Sequence, residues 1–279
     1  MLRTRLLTAL VGIPLALAVV FAPGGWLMAC ALSLLALVAS LEYRQIYRRA
    51  EWVPRPNPNL ILLTAGAALP LLSWAFPQMS LTTPLLSALA LASVYELARA
   101  WQGRSLAIAS NIGYGVFGML FIGWLFSFGV LLRGDDSPAS LWGWQVERGA
   151  LWVLWLLAML WLGDSGAYFV GRAIGKRKLA PKLSPAKTVE GAAANLTLCL
   201  LVGWQGGAAL GLPVGWAIAG GLGVGVLGQL GDLFESALKR AVGVKDSGGI
   251  LPGHGGVLDR FDSFLFSAPW VWWVAQMAG

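Results

Sequence analysis

The chain is 279 residues long, 57% hydrophobic and only 12% charged, with 20 lysines and arginines against 13 acids and a formal net charge of +7. Apolar stretches recur from end to end, which excludes an ordinary water-soluble domain and leaves a polytopic membrane protein, since about 20 apolar residues match a hydrocarbon core of ~30 Å. Cys30 and Cys199 both fall within such stretches, and two isolated thiols build neither a disulfide framework nor a zinc site.

Backbone donors and acceptors inside a bilayer must be satisfied within their own segment, so these Leu-, Ala-, Gly- and Val-rich stretches read as helices. The alternating ten-residue strands of a barrel are not seen. The expected fold is all-α, a polytopic bundle of about nine transmembrane helices at 6–22, 26–41, 60–74, 85–98, 108–132, 150–170, 192–210, 214–230 and 261–278. The first follows Arg3 and Arg5 and has the outline of a cleavable signal peptide. Pro23-Gly24-Gly25 reads better as a tight turn into the second span, so the segment is kept as a helix. With a cytoplasmic N-terminus, all but two of the 20 basic residues lie on inner segments, the exceptions being Arg133 and Arg148. That bias fits the positive-inside rule, and tryptophans near the span ends suit an interfacial belt. The chain is taken as one membrane domain, 1–279, with plain N-terminal helices over 1–148 and, over 149–279, helices that carry the polar cytoplasmic loops 171–191 and 231–260.

Glu96 falls inside the fourth span and is given no role. Near the inner end of the sixth span stands Asp164-Ser165-Gly166-Ala167-Tyr168. An acid at the centre of a span costs about 2.5–3.5 kcal/mol, less near the interface, and marks a functional candidate. Ser184-Pro185-Ala186-Lys187-Thr188-Val189-Glu190-Gly191 then places an ammonium beside hydroxyl donors, a set suited to phosphate. Arg177 and Lys178 read as topology anchors; Lys187, between Ser184 and Thr188, reads as functional.

Acids, bases, glycines and the only histidine collect between Ser236 and Ser263. Asp232, Glu235, Ser236 and Lys239, at i, i+3, i+4 and i+7, share one face of a helix that continues the eighth span. Asp259 and Asp262 likewise share a face where the ninth begins. Taken singly, each acid suits a helix end or a pairing with Lys239, Arg240 or Arg260. Set together beside Lys245, Asp246 and the glycine-rich turn at 248–256, they read as a site. The turn lets two helix ends approach and offers backbone N–H groups to phosphate oxygens. Carboxylates facing a phosphate need a cation between them, and an all-oxygen donor set suits Mg²⁺. His254 reads as a ligand-positioning group rather than a general base.

Ser236-x-Leu238-Lys239-Arg240-x4-Lys245-Asp246-x-Gly248-x3-Pro252-x-His254-Gly255-Gly256-x2-Asp259-Arg260-x-Asp262 resembles the long C-terminal motif of the phosphatidate cytidylyltransferases, or CDP-diacylglycerol synthases. The segments at Asp164 and Ser184 resemble that family's as well, so the motifs run from Asp164 towards the C-terminus. The resemblance implies the reaction CTP + phosphatidate → CDP-diacylglycerol + pyrophosphate, in phospholipid biosynthesis, on the cytoplasmic side of a bacterial inner membrane. It implies Asp232 and Asp259 as ligands of Mg²⁺, and allows a second cation such as K⁺. Asp232, Lys239, Asp259 and Asp262 would be catalytic. Asp164, Ser184, Lys187, Thr188, Ser236, Arg240, Lys245, His254, Gly255, Gly256 and Arg260 would bind substrate, with Asp246 and Asp262 ordering the others. Membrane lipids surround the chain, no nucleic-acid partner is expected, and a homodimer is compatible with the family. Two alternatives stay open: a CTP-dependent polyprenol kinase, which the length of the C-terminal match argues against, and a secondary transporter, disfavoured because the polar groups cluster at helix ends rather than mid-membrane. The CDP-alcohol phosphatidyltransferases need aspartates at a different spacing.

Overall fold

The apolar stretches form helices joined by short turns, and the computed structural model describes residues 2–49, 56–103, 107–250 and 255–278. Helix α1 (Leu2–Phe21) ends at Pro23–Gly25, where Gly24 and Gly25 adopt φ of 70° and 66°, a left-handed turn that only glycine enters without strain. Then follow α2 (Trp26–Arg48), α3 (Leu60–Ala75) and α4 (Thr82–Trp101). The Asn59 side chain caps α3 by accepting from the backbone N–H groups of Ile61 and Leu62. Helix α5 (Ile108–Gly118) runs through a π-helical segment, Met119–Trp124, into α6 (Leu125–Arg133), so the expected single span at 108–132 is one helix with a local widening.

Helix α7 (Arg148–Ile174), α8 (Val189–Ala209), α9 (Val214–Ala241) and α10 (Leu258–Ala278) complete the set. Two antiparallel hairpins depart from the all-helical expectation: β1 (Pro138–Leu141) with β2 (Trp144–Glu147), and β3 (Lys178–Ala180) with β4 (Ser184–Thr188). Strands of three to five residues are too short to print a readable alternation. The first hairpin turns through Trp142 and Gly143, both at positive φ, as a two-residue turn of primed type requires.

Among the described residues four helices are long and apolar enough to cross a membrane, Pro23–Arg48, Ile108–Arg133, Arg148–Ile174 and Val214–Ala241, with shorter apolar helices at Leu10–Phe21 and Leu60–Ala75. The protein is therefore a mostly helical, polytopic integral membrane protein.

The chain groups into two units, one of Met1–Thr8, Trp26–Val130 and Lys239–Arg260, the other of Ala9–Gly25, Leu131–Leu238 and Phe261–Gly279. In the first, Leu62, Ala88, Ala92 and Met119 form a buried cluster, and Gly66 lets the backbones of α3 and the π segment touch. Such close approach of small residues is how helices adhere in lipid. Glu96 is buried there, accepting from Asn59, Asn111 and Arg99. In the second unit, Gly163 lies against Cys199 and Asn195, and Gly203 against Gly221, so α7, α8 and α9 pack closely. Arg133 is buried, donating to the carbonyls of Val20 and Ala22 and pairing with Glu147.

Candidate active site

Two polar clusters carry the residues that the sequence singles out, one in each unit. The cluster of the second unit lines a cavity of about 540 Å³, with Asp164 from α7, Lys187 and Thr188 from β4, and Asp232 from α9 on its wall. Thr188 is the N-cap of α8, accepting from the Gly191 N–H at 3.2 Å. Because β4 pairs with β3, Lys187 is presented from a strand whose register is Lys178 opposite Thr188 and Ala180 opposite Ser184. The Glu190 carboxylate holds the base of the hairpin, accepting from the backbone N–H groups of Lys176 and Arg177 at 3.1 and 3.2 Å. Ser184 opens β4, opposite Ala180.

Lys187 Nζ lies 2.5 Å from Asp232 Oδ2. The pair is partly solvated, the side chains being 25% and 37% exposed. Asp262 is buried, with Oδ1 accepting from the Ser263 N–H at 2.5 Å. Gly231 lets α9 pass close to the Asp262 carbonyl, which brings Asp262 beside the Asp232 turn of α9. Asn195 and Gln229 are the residues that sequence reading missed here. Asn195 donates to Asp164 Oδ1 at 3.3 Å, and Gln229 donates to Asn195 Oδ1 at 3.3 Å, an amide chain that orients Asp164 from behind. Each is one amide in an apolar span, a weak signal until the helices are set side by side.

The second cluster, in the first unit, is built on Asp259. Its Oδ1 lies 2.5 Å from Lys239 Nζ, and its Oδ2 accepts from the Gly256 N–H at 2.7 Å, the Ser247 N–H at 3.0 Å and the Ser247 hydroxyl at 2.9 Å. Burial pushes this carboxyl towards neutrality, but the Lys239 ammonium and the N–H groups of Gly256 and Ser247 outweigh it and hold Asp259 below the usual carboxylate range. Ser247 and Gly256 thus both reach Asp259, and the glycine at 255 has a steric reason. Gly255 has φ of 83°, and a Cβ there would lie 2.7 Å from Asp259 Oδ2. The Gly256 N–H points at Asp259, not outward. A further acid, Glu42 of α2, reaches this cluster, its Oε2 lying 3.2 Å from Ser247 Oγ as an alternative acceptor for that hydroxyl.

The other expected residues are placed as follows. Arg240 is exposed and donates to the Val244 carbonyl at 2.9 Å, closing the end of α9; Lys245, Asp246 and Arg260 are exposed and Ser236 is half-buried. His254 lies outside the described residues. Asp232 belongs to one unit and Asp259 to the other, each with its own lysine. Among the described residues no group of three or more His, Cys, Asp or Glu side chains forms a ready-made metal cage.

The fold defines a helical integral membrane protein that carries two polar clusters, each pairing a lysine with a carboxylate. The cytidylyltransferase family model matches residues 3–278, and the chain belongs to that family. It is similar to the phosphatidate cytidylyltransferase of Synechocystis, 34% identical over 292 residues that cover 96% of this chain and 94% of that protein. It is also similar to the phosphatidate cytidylyltransferase of Bacillus subtilis, 43% identical over 169 residues, or 60% of this chain and 59% of that protein. The Staphylococcus aureus phosphatidate cytidylyltransferase is 46% identical over 125 residues, 44% of this chain and 48% of that protein. The chain thus spans nearly all of the first relative and under two thirds of the other two.

Proposed function

We propose that the chain is an enzyme that transfers the cytidylyl group of CTP to phosphatidate, yielding CDP-diacylglycerol and pyrophosphate for phospholipid synthesis. The observation that carries this reading is the near full-length likeness to the Synechocystis phosphatidate cytidylyltransferase. A phosphatidate oxygen forms a bond to the α-phosphorus of CTP while the bond to the β-phosphate bridging oxygen breaks, and pyrophosphate leaves. The nucleophile is already an anion at neutral pH, so the difficulty is charge and position rather than proton removal.

Lys187, held by a solvated carboxylate, exchanges Asp232 for a phosphate oxygen as substrate enters the cavity. Lys239 offers its ammonium to the other phosphates, with Arg240, Lys245 and Arg260 as the exposed cations that draw CTP in. Ser184, Thr188 and Ser236 supply hydroxyls, and Asp246 and Asp262 order the charged groups. Asp164 faces the cavity with its orientation fixed by Asn195. Asp232 and Asp259 are the carboxylates assigned to Mg²⁺, with K⁺ as the candidate second cation. Mg²⁺, when bound, neutralises phosphate charge and makes the α-phosphorus more open to attack. The reading places about nine spans in a bacterial inner membrane, the polar clusters facing the cytoplasm where CTP is found, and allows a homodimer.

The test follows label from CTP. Purified chain with Mg²⁺ and phosphatidate is expected to carry label from α-³²P-CTP into a chloroform-soluble liponucleotide and to release pyrophosphate. Label entering lipid only from γ-³²P-CTP, with CDP left behind, would identify a lipid kinase instead.

A further inference from the structure

Helix α10 starts at Leu258 without a local side-chain cap, because the preceding residue is Val257. The first N–H groups of a helix need acceptors, and a serine or aspartate just before the helix ordinarily supplies one. Here the acceptor comes from α2. Glu42 Oε1 accepts from the Val257 N–H at 3.0 Å, and Glu42 Oε2 accepts from the Leu258 N–H at 3.0 Å. The same Oε2 lies 3.2 Å from Ser247 Oγ, which also lies 2.9 Å from Asp259 Oδ2. Ser247 Oγ therefore lies between the two carboxylates and gives its single proton to one of them at a time.

The glycines around this carboxylate are cut to its shape. A Cβ on Gly248 would lie 2.6 Å from Glu42 Oε1, and one on Gly256 would lie 2.5 Å from Glu42 Oε2. Glu42 itself is 3% exposed, and Ser247, Val257 and Leu258 are buried around it. Burying a carboxylate against three neutral donors is a costly way to end a helix when a local serine would serve. The placement does something that a local cap cannot: it clamps both ends of the 247–258 turn to one rigid helix.

We propose that Glu42 is a positioning residue for the transfer reaction, fixing the glycine turn so that Asp259 keeps its orientation beside Lys239. The role rests on the reading above, in which Asp259 and Lys239 handle phosphates. Two glycines of the motif, Gly248 and Gly256, then owe their identity to a residue of the second helix, and the N-terminal helices contribute directly to the order of the reactive turn.

The test uses the full chain in detergent, as wild type, Glu42→Gln, Ser247→Ala and the double variant. Glutamine keeps the size but turns an NH2 towards backbone N–H groups, so the clamp opens. Hydrogen exchange of the peptide covering 255–260 is expected to quicken in Glu42→Gln while the helices elsewhere keep their protection. Liponucleotide formation from α-³²P-CTP is expected to fall in kcat by roughly 10–100-fold, with KM for phosphatidate changed by less than about threefold, the signature of a misaligned rather than an unbound substrate. Ser247→Ala removes the shared hydroxyl alone and should lose less, and the double variant should be no worse than Glu42→Gln because both act along one path. Should Glu42→Gln fail to insert, Ser247→Ala carries the test through the same exchange and kcat measurements. Unchanged exchange at 255–260, a wild-type kcat, or losses that multiply in the double variant would each overturn the proposal. Exchange needs no substrate, so a wild-type chain that forms no liponucleotide would refute the functional reading separately.

Discussion

Asp232→Asn and Asp259→Asn are expected to damage turnover alike and stability very differently. Asp232 and its partner Lys187 are 37% and 25% exposed. A solvated pair of that kind contributes about 0–1 kcal/mol, so its loss moves an unfolding midpoint by little more than roughly 2–4 °C. Asp259 and Lys239 are 7% and 11% exposed, and Asp259 also accepts from Ser247 and Gly256. Removing its charge strands a buried ammonium and turns an amide towards N–H donors, at a cost of about 3–5 kcal/mol. That corresponds to a fall of roughly 6–20 °C for a chain of this size. Turnover should drop by about 100-fold or more in both, the scale of losing one group that stabilises developing charge. The assay is liponucleotide formation per folded molecule, beside thermal unfolding in the same detergent. Equal midpoints for the two variants, or a larger fall in Asp232→Asn, would refute the burial argument; near-wild-type turnover in either would remove that carboxylate from the chemistry.

The pH dependence of the same pair has a fixed sign. Because the Asp259 carboxyl is held below its ordinary range, its contribution is complete above the unfolded value of about 3.9 and is lost as pH falls through the lower folded value. The gap in unfolding midpoint between wild type and Asp259→Asn should therefore be constant near neutrality and shrink on acidification below about pH 4. Gly255→Ala, which places a Cβ against Asp259 Oδ2 at a backbone φ of 83°, should lower kcat and stability together, and a variant as stable as wild type would show that the turn relaxes freely. For topology, a periplasm-active reporter inserted at Asp135 should be active and one near Lys178 silent, with the opposite pattern overturning the cytoplasmic orientation of the polar clusters.

Much of this molecule was readable along the chain, and what escaped has physical reasons. Pro23-Gly24-Gly25 announced its turn because positive φ leaves few choices of residue, whereas the Thr188 cap on Gly191 starts α8 ahead of the apolar stretch at 192–210. Lys239, Arg240 and Arg260 all stood as partners for the acids, and the structure selects Lys239 for Asp259. Glu42 could not be placed in advance: it is 205 residues from Ser247, and a single acid near the end of an apolar helix looks like any interfacial charge. Asn195 and Gln229 were hidden for the same reason, each meaningful only once α7, α8 and α9 are side by side. The hairpin that carries Lys187 reads as loop along the chain, since its pattern is dominated by basic residues rather than by alternation.

That hairpin separates where a lysine sits from how long its loop is. Between Ala180 and Ser184 the chain turns through exposed Pro181 and Lys182, closed by the Leu183 N–H on the Ala180 carbonyl at 3.1 Å. Below the tip, Val189 N–H on Arg177 carbonyl at 2.9 Å and the Glu190 clasp lock the strands to α8. Residues added at 181–182 lengthen only the free end, while Lys187 stays indexed to the helix that follows it. The tip is thus the position at which this protein can accept an epitope or a fluorophore a few residues from its cavity without recalibrating the cavity itself.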